Sequence, residues 1–209
     1  MEYKTFFEAA CSELCEKKSR FIGYASPAQD EAYAQNFINS IKKKHWDARH
    51  NVYAYRIKNG TTRCSDDGEP QGTGGIPLLG VIEKKDLYDV VIVVTRYFGG
   101  VLLGAGGLAR AYGQAAAMAA ELAGAAEICK QGVYGVDIDY GSLERVLSAL
   151  ELVNAGVEGT TYEEKVRLRY AVDPKKEDEL LELLTEILRG APEITSHGTK
   201  LIKTMPDGV

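Results

Sequence analysis

The fold is decided by residues 90–112, which read VVIVVTRYFGGVLLGAGGLARAY. The run of five β-branched residues at 90–94 is typical of a strand buried on both faces of a sheet, and we place that strand at residues 89–98. A glycine-rich turn is expected at residues 99–107. The Ala-rich residues 108–126 then predict a long helix, whose small side chains allow close packing on the sheet.

A second glycine-rich segment lies before this strand. The acidic turn Asp-Asp-Gly-Glu-Pro occupies residues 66–70, and the run Gly-Thr-Gly-Gly occupies residues 72–75. Glycine permits a positive φ and lets another group approach the backbone closely. Two such turns on either side of one apolar strand therefore predict a recognition face built from backbone amides and a few side chains.

The rest of the first 130 residues has the patterns of two hairpins and two helices. Asn59-Gly60 is a typical two-residue hairpin turn, Asp30 is placed as a helix N-cap, and the proline at position 77 suits a first helical turn. The predicted segments are a hairpin at 5–26, a helix at 30–44, strands at 51–57 and 61–65, and a helix at 75–85.

A domain boundary is predicted near residues 130–132, so that the two domains span residues 1–130 and 131–209. Beyond the boundary, hydrophobic periodicity indicates the order β-α-β-β-α-β, which is the ferredoxin-like order. The predicted fold class is therefore α+β with two domains. The strands are placed at 133–140, 157–163, 165–172 and 193–202, and the helices at 142–154 and 174–189.

The composition excludes several classes of protein. Of the 209 residues, 45% are hydrophobic and 26% are charged, as in soluble globular proteins. Because no apolar run reaches about 18 residues and the first residues lack the features of a signal peptide, we expect a cytoplasmic protein that binds no membrane. The four cysteines form no C-x-x-C pair, and the three histidines are not spaced as zinc ligands. We therefore expect no disulfide, metal or cofactor.

Charge is divided unevenly along the chain, whose net charge is −5. Residues 1–130 carry 16 basic and 15 acidic side chains, whereas residues 131–209 carry 9 and 15. A polyanion is therefore expected to bind the first part of the chain. The basic run at 42–44 and Arg49 are typical of a solvated helix end, but the neighbouring Trp46 has the ring needed to stack on a base.

The glycine segment before the long helix has two compatible interpretations. Residues 104–109 fit the dinucleotide pattern G-x-G-x-x-G/A, but residues 96–103 separate them from the strand and no parallel β-α-β series surrounds them, which disfavours a Rossmann site. Tight packing of the helix on the sheet is one interpretation. The other is an anion pocket, with exposed amides at the helix start and with Arg96 and Arg110 beside them.

Two further alternatives concern acidic and thiol side chains. Asp66, Asp67 and Glu69 offer the oxygen ligands that suit a hard cation, but their spacing is not that of a calcium loop, and a solvated turn stiffened by Pro70 is favoured. Cys64 has the chemistry of a nucleophile. We expect instead a buried cysteine on a strand, which is the more frequent case.

Several segments of the first domain resemble the YigZ/IMPACT family, and residues 131–209 are similar to the C-terminal domain of its bacterial branch. The long motif at 94–112 is the most specific of them. Gly74 stands where the family often has alanine. The segments are KSRFI (18–22), HNVYAY (50–55), DGEPQGT (67–73), VTRYFGG (94–100) and LGAGGLARAY (103–112).

The resemblance implies a first domain folded like the second domain of a small-subunit ribosomal protein, also found in elongation factor G. It implies a second domain that resembles the ferredoxin-like last domain of that factor. The eukaryotic branch acts by protein contact in translational control under stress, where it competes with a kinase for its activator. For the bacterial branch, kinship of fold implies binding of nucleic acid or the ribosome.

Three hypotheses of function follow. The first is a non-catalytic binding protein in or near translation, whose partner is RNA, the ribosome or a translation-associated protein. The second is an enzyme for a small anionic or peptide-like substrate, with Asp66 or Glu69 as acid or base and Arg96 as anion clamp. The third is a module that docks other proteins. The candidate binding residues are Arg49, Asp66, Glu69, Thr73, Arg96, Tyr97, Gly99, Gly100, Gly106, Gly107 and Arg110, with no catalytic or metal-ligating residue assigned.

Overall fold

The computed structural model describes residues 2–204 and has the mixed α+β class. It divides into two compact units. The N-terminal unit comprises Tyr3–Glu127 with Lys203 and Thr204, and the C-terminal unit comprises Glu2 with Ile128–Ile202. Among the described residues, no helix is both long enough and apolar enough to cross a membrane.

The N-terminal unit is built on a five-stranded antiparallel sheet with three helices. Its elements are β1 (Tyr3–Phe6), β2 (Ala10–Glu16), β3 (Ser19–Pro27), α1 (Glu31–Lys44), β4 (His50–Arg56), β5 (Thr62–Ser65), α2 (Gly75–Lys84), β6 (Val90–Tyr97) and α3 (Gly104–Leu122). The sheet has the order β2-β3-β6-β4-β5, so β6 lies at its centre. The predicted N-cap is confirmed, because the Asp30 carboxylate accepts from the Tyr33 amide.

Strand β6 is apolar throughout because both of its faces are covered. Val90, Ile92 and Val94 pack into the core formed with α2 and α3. Val91 and Val93 point the other way, into the core formed with α1. All five side chains are fully buried, which confirms the prediction of a strand buried on both faces.

The start of α3 corrects the sequence-based prediction. Residues 104–107 were expected to form a turn before the helix, but they are the first turn of α3 itself. Glycine costs a helix about 1 kcal/mol per residue relative to alanine. The sequence pattern therefore predicted a start of the helix that is too late in the chain. Burial of the helical face that begins at Leu108 and continues through Tyr112 outweighs that cost. The helix also ends at Leu122 rather than residue 126, since a strand begins at Ala125.

The C-terminal unit confirms the predicted β-α-β-β-α-β order. Its elements are β7 (Ala125–Ile138), α4 (Leu143–Leu152), β8 (Gly156–Tyr162), β9 (Val166–Val172), α5 (Glu177–Leu188) and β10 (Ile194–Thr204). In the sheet of this unit, β7 pairs with β9 and with β10, and β8 pairs with β9. Within the unit the strands therefore follow the ferredoxin-like order β10-β7-β9-β8, with α4 and α5 contributing to one core. Strand β7 runs unbroken through residues 130–132.

Gly99 is required by a close backbone approach after β6. Lys17 and Lys18, which connect β2 to β3, have φ values of 45° and 67°, as in a tight hairpin turn. A Cβ added at Gly99 would lie 2.0 Å from both the carbonyl carbon and oxygen of Lys18. The Gly99 amide also donates to the Ser19 hydroxyl at 3.2 Å. Gly99 therefore fixes the hairpin turn against the end of β6.

Substitution of Gly99 by alanine tests this contact. We expect Gly99→Ala to lower the free energy of unfolding by about 1–3 kcal/mol, because a backbone carbonyl cannot move aside as a flexible side chain does. Urea denaturation followed by circular dichroism measures the change. Gly106→Ala is the matched control, since its Cβ would meet no atom within 4 Å, and we expect it to stabilise α3 by up to about 1 kcal/mol. Equal effects of the two changes would contradict the close approach.

Candidate functional site

The motif residues gather at one end of the central sheet in the N-terminal unit. Antiparallel register places His50, at the start of β4, opposite Arg96 near the end of β6. The antiparallel register of β3 and β6 places Arg20 of β3 opposite Tyr97 of β6. A cleft of about 350 Å³ opens at this end. Its lining includes Arg49, His50, Glu69, Arg96, Phe98 and Gly104.

A buried ion pair lines the cleft. Arg96 Nη1 donates to Glu69 Oε1 at 2.7 Å, and the Tyr112 hydroxyl donates to the same oxygen at 2.8 Å. The Arg96 and Glu69 side chains are only 7% and 4% exposed. Burial and the nearby Glu69 charge raise the pKa of Tyr112, so its hydroxyl remains a donor. This contact joins the acidic turn, β6 and α3.

Arg96 keeps one donor unused. Its Nε is buried and has no hydrogen-bond partner among the described residues. Its guanidinium lies 5.5 Å from the ring centroids of Phe21 and Phe98, so apolar rings rather than acceptors surround much of it. A buried donor without a partner typically costs about 1–3 kcal/mol. Glu69 therefore satisfies only part of the hydrogen-bonding capacity of Arg96.

Asp66 organises the glycine run after the acidic turn. Its carboxylate accepts from the amides of Gly72, Gly74 and Gly75 at 2.8, 2.9 and 2.9 Å. Burial opposes the charged form, but these three backbone hydrogen bonds outweigh it and lower the pKa of Asp66. Asp66 therefore holds residues 72–75 in place at the start of α2.

The side chains of Asp67 and Thr73, in the same segment, also form internal hydrogen bonds. The Asp67 carboxylate accepts from Lys42 Nζ and from the Asn51 amide, each at 2.7 Å. The Thr73 hydroxyl donates to the Pro70 carbonyl at 2.6 Å. These contacts explain why an acidic turn with Pro and Gly is needed here, and they leave little of either side chain for a ligand.

The structure brings Glu69 and Arg96 together in the cleft, and it engages Asp66 and Arg110 elsewhere. Asp66 binds the 72–75 amides, Glu69 binds Arg96, and Arg110 Nε donates to the Gly106 carbonyl within α3 at 3.2 Å. Within residues 2–204, no group of three or more His, Cys, Asp or Glu side chains is arranged to hold a metal ion. Of the two proposed acid or base residues, Glu69 therefore lies beside Arg96, with its Oε1 oxygen already hydrogen-bonded.

The expectation of a buried Cys64 is wrong. Cys64 is exposed, and it lies on β5, a short strand at the edge of the sheet. Pairing with Ala54 places it on the other side of β4 from Arg96. The cleft therefore has no cysteine in its lining.

The motif glycines fall into two groups. Gly99 packs against the hairpin turn, and Gly100 has a φ of +84°, which favours glycine. Gly106 and Gly107 belong to the first turn of α3. A Cβ at Gly107 would lie 3.2 Å from the Leu103 Cβ, so this position is tight, whereas the Gly106 position is open.

Sequence reasoning missed a hydrogen-bond chain through His45. Its Nε2 lies 2.6 Å from the Tyr24 hydroxyl, and its Nδ1 lies 2.9 Å from the Tyr97 hydroxyl. Tyr97 donates in turn to Asp47 at 2.9 Å. Because Tyr24 and Tyr97 are 21 and 52 residues from His45, no local pattern could have identified the chain. It occupies the hydroxyl of Tyr97, which was expected to face a ligand.

Free cations and exposed aromatic rings lie at this end of the sheet. The basic side chains there that have no hydrogen-bond or ion-pair partner within the described range are Lys17, Lys18, Lys43 and Arg49. Trp46, the only tryptophan, is 84% exposed, and Phe98 is 47% exposed. This combination can hold anions by charge and planar groups by stacking.

Comparison with known proteins identifies the family. Residues 17–120 match the Impact N-terminal domain, and residues 136–191 match a Domain of unknown function (DUF1949). The chain is 39% identical to the IMPACT family member YvyE of Bacillus subtilis, over 92% of this chain and 89% of that protein. The chain belongs to the IMPACT family.

Other IMPACT family members resemble different shares of the chain. The member YigZ of Escherichia coli is 31% identical over 85% of this chain and 89% of its own length. Protein IMPACT of Danio rerio is 36% identical over 44% of this chain and 30% of its own length. A crystal structure described as that of a hypothetical protein aligns with a TM-score of 0.59 and 27% identity, over 99% of this chain and 98% of that one.

Replacing Asp66 by asparagine tests the role of its carboxylate. Asparagine has one acceptor oxygen and an NH₂ group that faces a donor, so it cannot accept from all three amides. We expect Asp66→Asn to lower the free energy of unfolding by about 1–3 kcal/mol at pH 7, measured by urea denaturation. Glu83→Gln, an acid-to-amide change at an exposed position of α2, should change it by less than about 0.5 kcal/mol. Indistinguishable results would refute the structural role of Asp66.

The partly buried His45 predicts a pH dependence of stability. Burial, and then the charge of Lys44, lower the pKa of His45 below its ordinary value of 6.5. Between the lowered folded value and 6.5, the unfolded chain binds more protons, so stability is present above about pH 6.5 and is lost as the pH falls through that window. The other groups that face the imidazole are Tyr24, Tyr97, Asp47 and Arg20.

We therefore expect His45→Gln to weaken the pH dependence. Urea midpoints are measured from pH 7.5 to 5 for the parent chain and for the variant. The parent chain should lose more stability on acidification than His45→Gln does, because only the parent chain must protonate this partly buried imidazole. Parallel curves would show that His45 does not contribute to the pH dependence.

Proposed function

We propose that this IMPACT family member is a non-catalytic binding protein that acts in or near translation, in the cytoplasm. Its ligand is single-stranded RNA, free or exposed on the ribosome. It binds at the end of the N-terminal sheet that carries the cleft. The observation that carries the proposal is the gathering of partnerless cations and exposed aromatic rings at this one end.

The cations meet at this end because of how the chain runs. The hairpin turn of Lys17 and Lys18 packs against Gly99 at the end of β6. Lys43 lies in the last turn of α1, and Arg49 directly precedes β4. Free cations that need no internal partner are available to neutralise phosphates, which supplies most of the affinity of non-specific RNA binding.

The aromatic rings add a second kind of contact. Trp46 follows α1 and Phe98 follows β6, and both are largely exposed. Stacking of a base on such a ring is worth about 1–3 kcal/mol and tolerates any sequence. Rings and cations together favour RNA over a polyanion without bases.

The acidic side chains support binding rather than catalysis. Asp66, Asp67 and Glu69 are engaged by backbone amides, Lys42 and Arg96 respectively. A general acid or base must be within reach of its substrate's proton. The link to translation rests on resemblance, both to the IMPACT family and to the fold of ribosomal and elongation-factor domains.

The proposal predicts salt-dependent RNA binding that depends on the hairpin turn. In Lys17→Asn/Lys18→Asn, asparagine accepts the positive φ of both positions, so the turn is retained while two charges are lost. We expect weaker binding, and a plot of log K against log salt shallower by about 0.7 for each lost phosphate contact. Fluorescence anisotropy with a single-stranded RNA from 50 to 200 mM salt measures both.

The matched control is Lys84→Gln/Lys85→Gln, which removes two exposed cations at the other end of the unit. It should leave the slope nearly unchanged. No binding at 50 mM salt, binding insensitive to salt, or equal effects of the two variants would overturn the proposal. Co-sedimentation with ribosomes, with and without the hairpin-turn variant, tests the link to translation separately.

A further inference from the structure

We infer that the cleft at the start of α3 is a binding site for the phosphate of a nucleotide, either a free mononucleotide or the phosphorylated end of an RNA. This is a discrete site, distinct from the exposed cations of the hairpin turn. This inference depends on the proposed function at one point only, which is the choice of a nucleotide rather than another phosphorylated ligand.

The first observation is an uncapped helix start. Helix α3 has 19 residues, and its N-cap, Leu103, offers no side-chain acceptor to the first amides. The first N–H groups of a helix have no intrahelical partner and carry partial positive charge, so they attract anions. Gly104 and Ala105 at this start line the cleft.

Glycine keeps these amides accessible. A Cβ added at Gly104 or Gly106 would meet no atom within 4 Å, so nothing in the protein fills the space above the first turn. Ala105 between them has the smallest side chain after glycine and is exposed. A group as large as a phosphate can therefore approach the backbone closely.

The second, independent observation is Arg96. Its side chain is 93% buried, it lines the same cleft, and its Nε has no partner within the described residues. A native structure rarely leaves such a donor without an acceptor. An anion in the cleft would lie beside this guanidinium, while Nη1 stays on Glu69.

The remaining lining suits a nucleotide. Arg49, exposed and without an internal partner, adds a cation at the cleft. Phe98, Leu102 and Leu103 make much of the other lining apolar, and both Phe98 and Leu102 are largely exposed. A site of a few hundred Å³ with convergent polar groups and an apolar wall is typical of small-ligand pockets. The wall takes the base and sugar, and the helix start takes the phosphate.

The decisive variant is Ala105→Asp. A carboxylate in the first turn should stabilise α3, so a rise or no change in Tm shows that the fold is intact. The same carboxylate occupies the amides and repels a phosphate. We expect the Kd of adenosine monophosphate, measured by isothermal titration calorimetry in a phosphate-free buffer, to rise at least about tenfold.

Arg49→Ala should weaken the same binding without affecting stability, because Arg49 has no internal partner. The matched control, Gln114→Glu, adds one negative charge at an exposed position further along α3 and should leave the Kd within about twofold of the parent value. Adenosine without phosphate should bind much more weakly than adenosine monophosphate. Inorganic phosphate should compete with it.

Three results would overturn the inference: no binding of adenosine monophosphate at millimolar concentration, equal binding of adenosine, or no effect of Ala105→Asp. RNAs with and without a 5′-phosphate distinguish the two sources of the nucleotide, since an RNA end should bind more tightly than the mononucleotide. The outcome is separable from that of the proposed function. If only the cleft inference is wrong, unphosphorylated RNA should still bind in a salt-dependent way that is sensitive to Lys17 and Lys18. If only the RNA proposal is wrong, adenosine monophosphate should still bind in a way that is sensitive to Ala105→Asp.

Discussion

The buried contact of Arg96, Glu69 and Tyr112 is the constraint on which the site depends. One carboxylate oxygen accepts from both partners, and these come from the end of β6 and from α3. Removing one member of a buried pair leaves an uncompensated charge, at a cost of about 3–5 kcal/mol. The turn, the strand and the helix therefore cannot move independently, and the geometry of the cleft between them is fixed before any ligand arrives.

The acidic turn shows how a motif can be functional and structural at once. Asp66 gathers three glycine amides, and Asp67 bonds the start of β4 and the end of α1. Neither carboxylate is offered to a ligand. Their role is to hold the turn that presents Glu69 to Arg96, so the acidic residues act on the site only through position.

The sequence was informative where the physics is local or periodic. Residue patterns within individual segments were enough to predict the burial of β6 on both faces, the Asp30 N-cap and the β-α-β-β-α-β order. The start of α3 was predicted wrongly because three of its first four residues are glycines, whose poor helix propensity is outweighed by burial further along the helix. The sequence identified the motifs that form the candidate site, but it did not show which of their side chains contact one another. Pairs such as Glu69 with Arg96, 27 residues apart, or His45 with Tyr97, 52 apart, depend on register that no local pattern encodes.

In the proposed phosphate site, Arg49 and Arg96 would have different roles because they differ in burial. Arg96 is buried and held in a fixed orientation by Glu69, which balances its charge. Arg49 is solvated and free, so it can attract a ligand from solution but holds it weakly. A site with only exposed cations would bind phosphates without a fixed geometry, and a site with only Arg96 would be neutralised by Glu69. The two together, beside the uncapped start of α3, give both attraction and orientation.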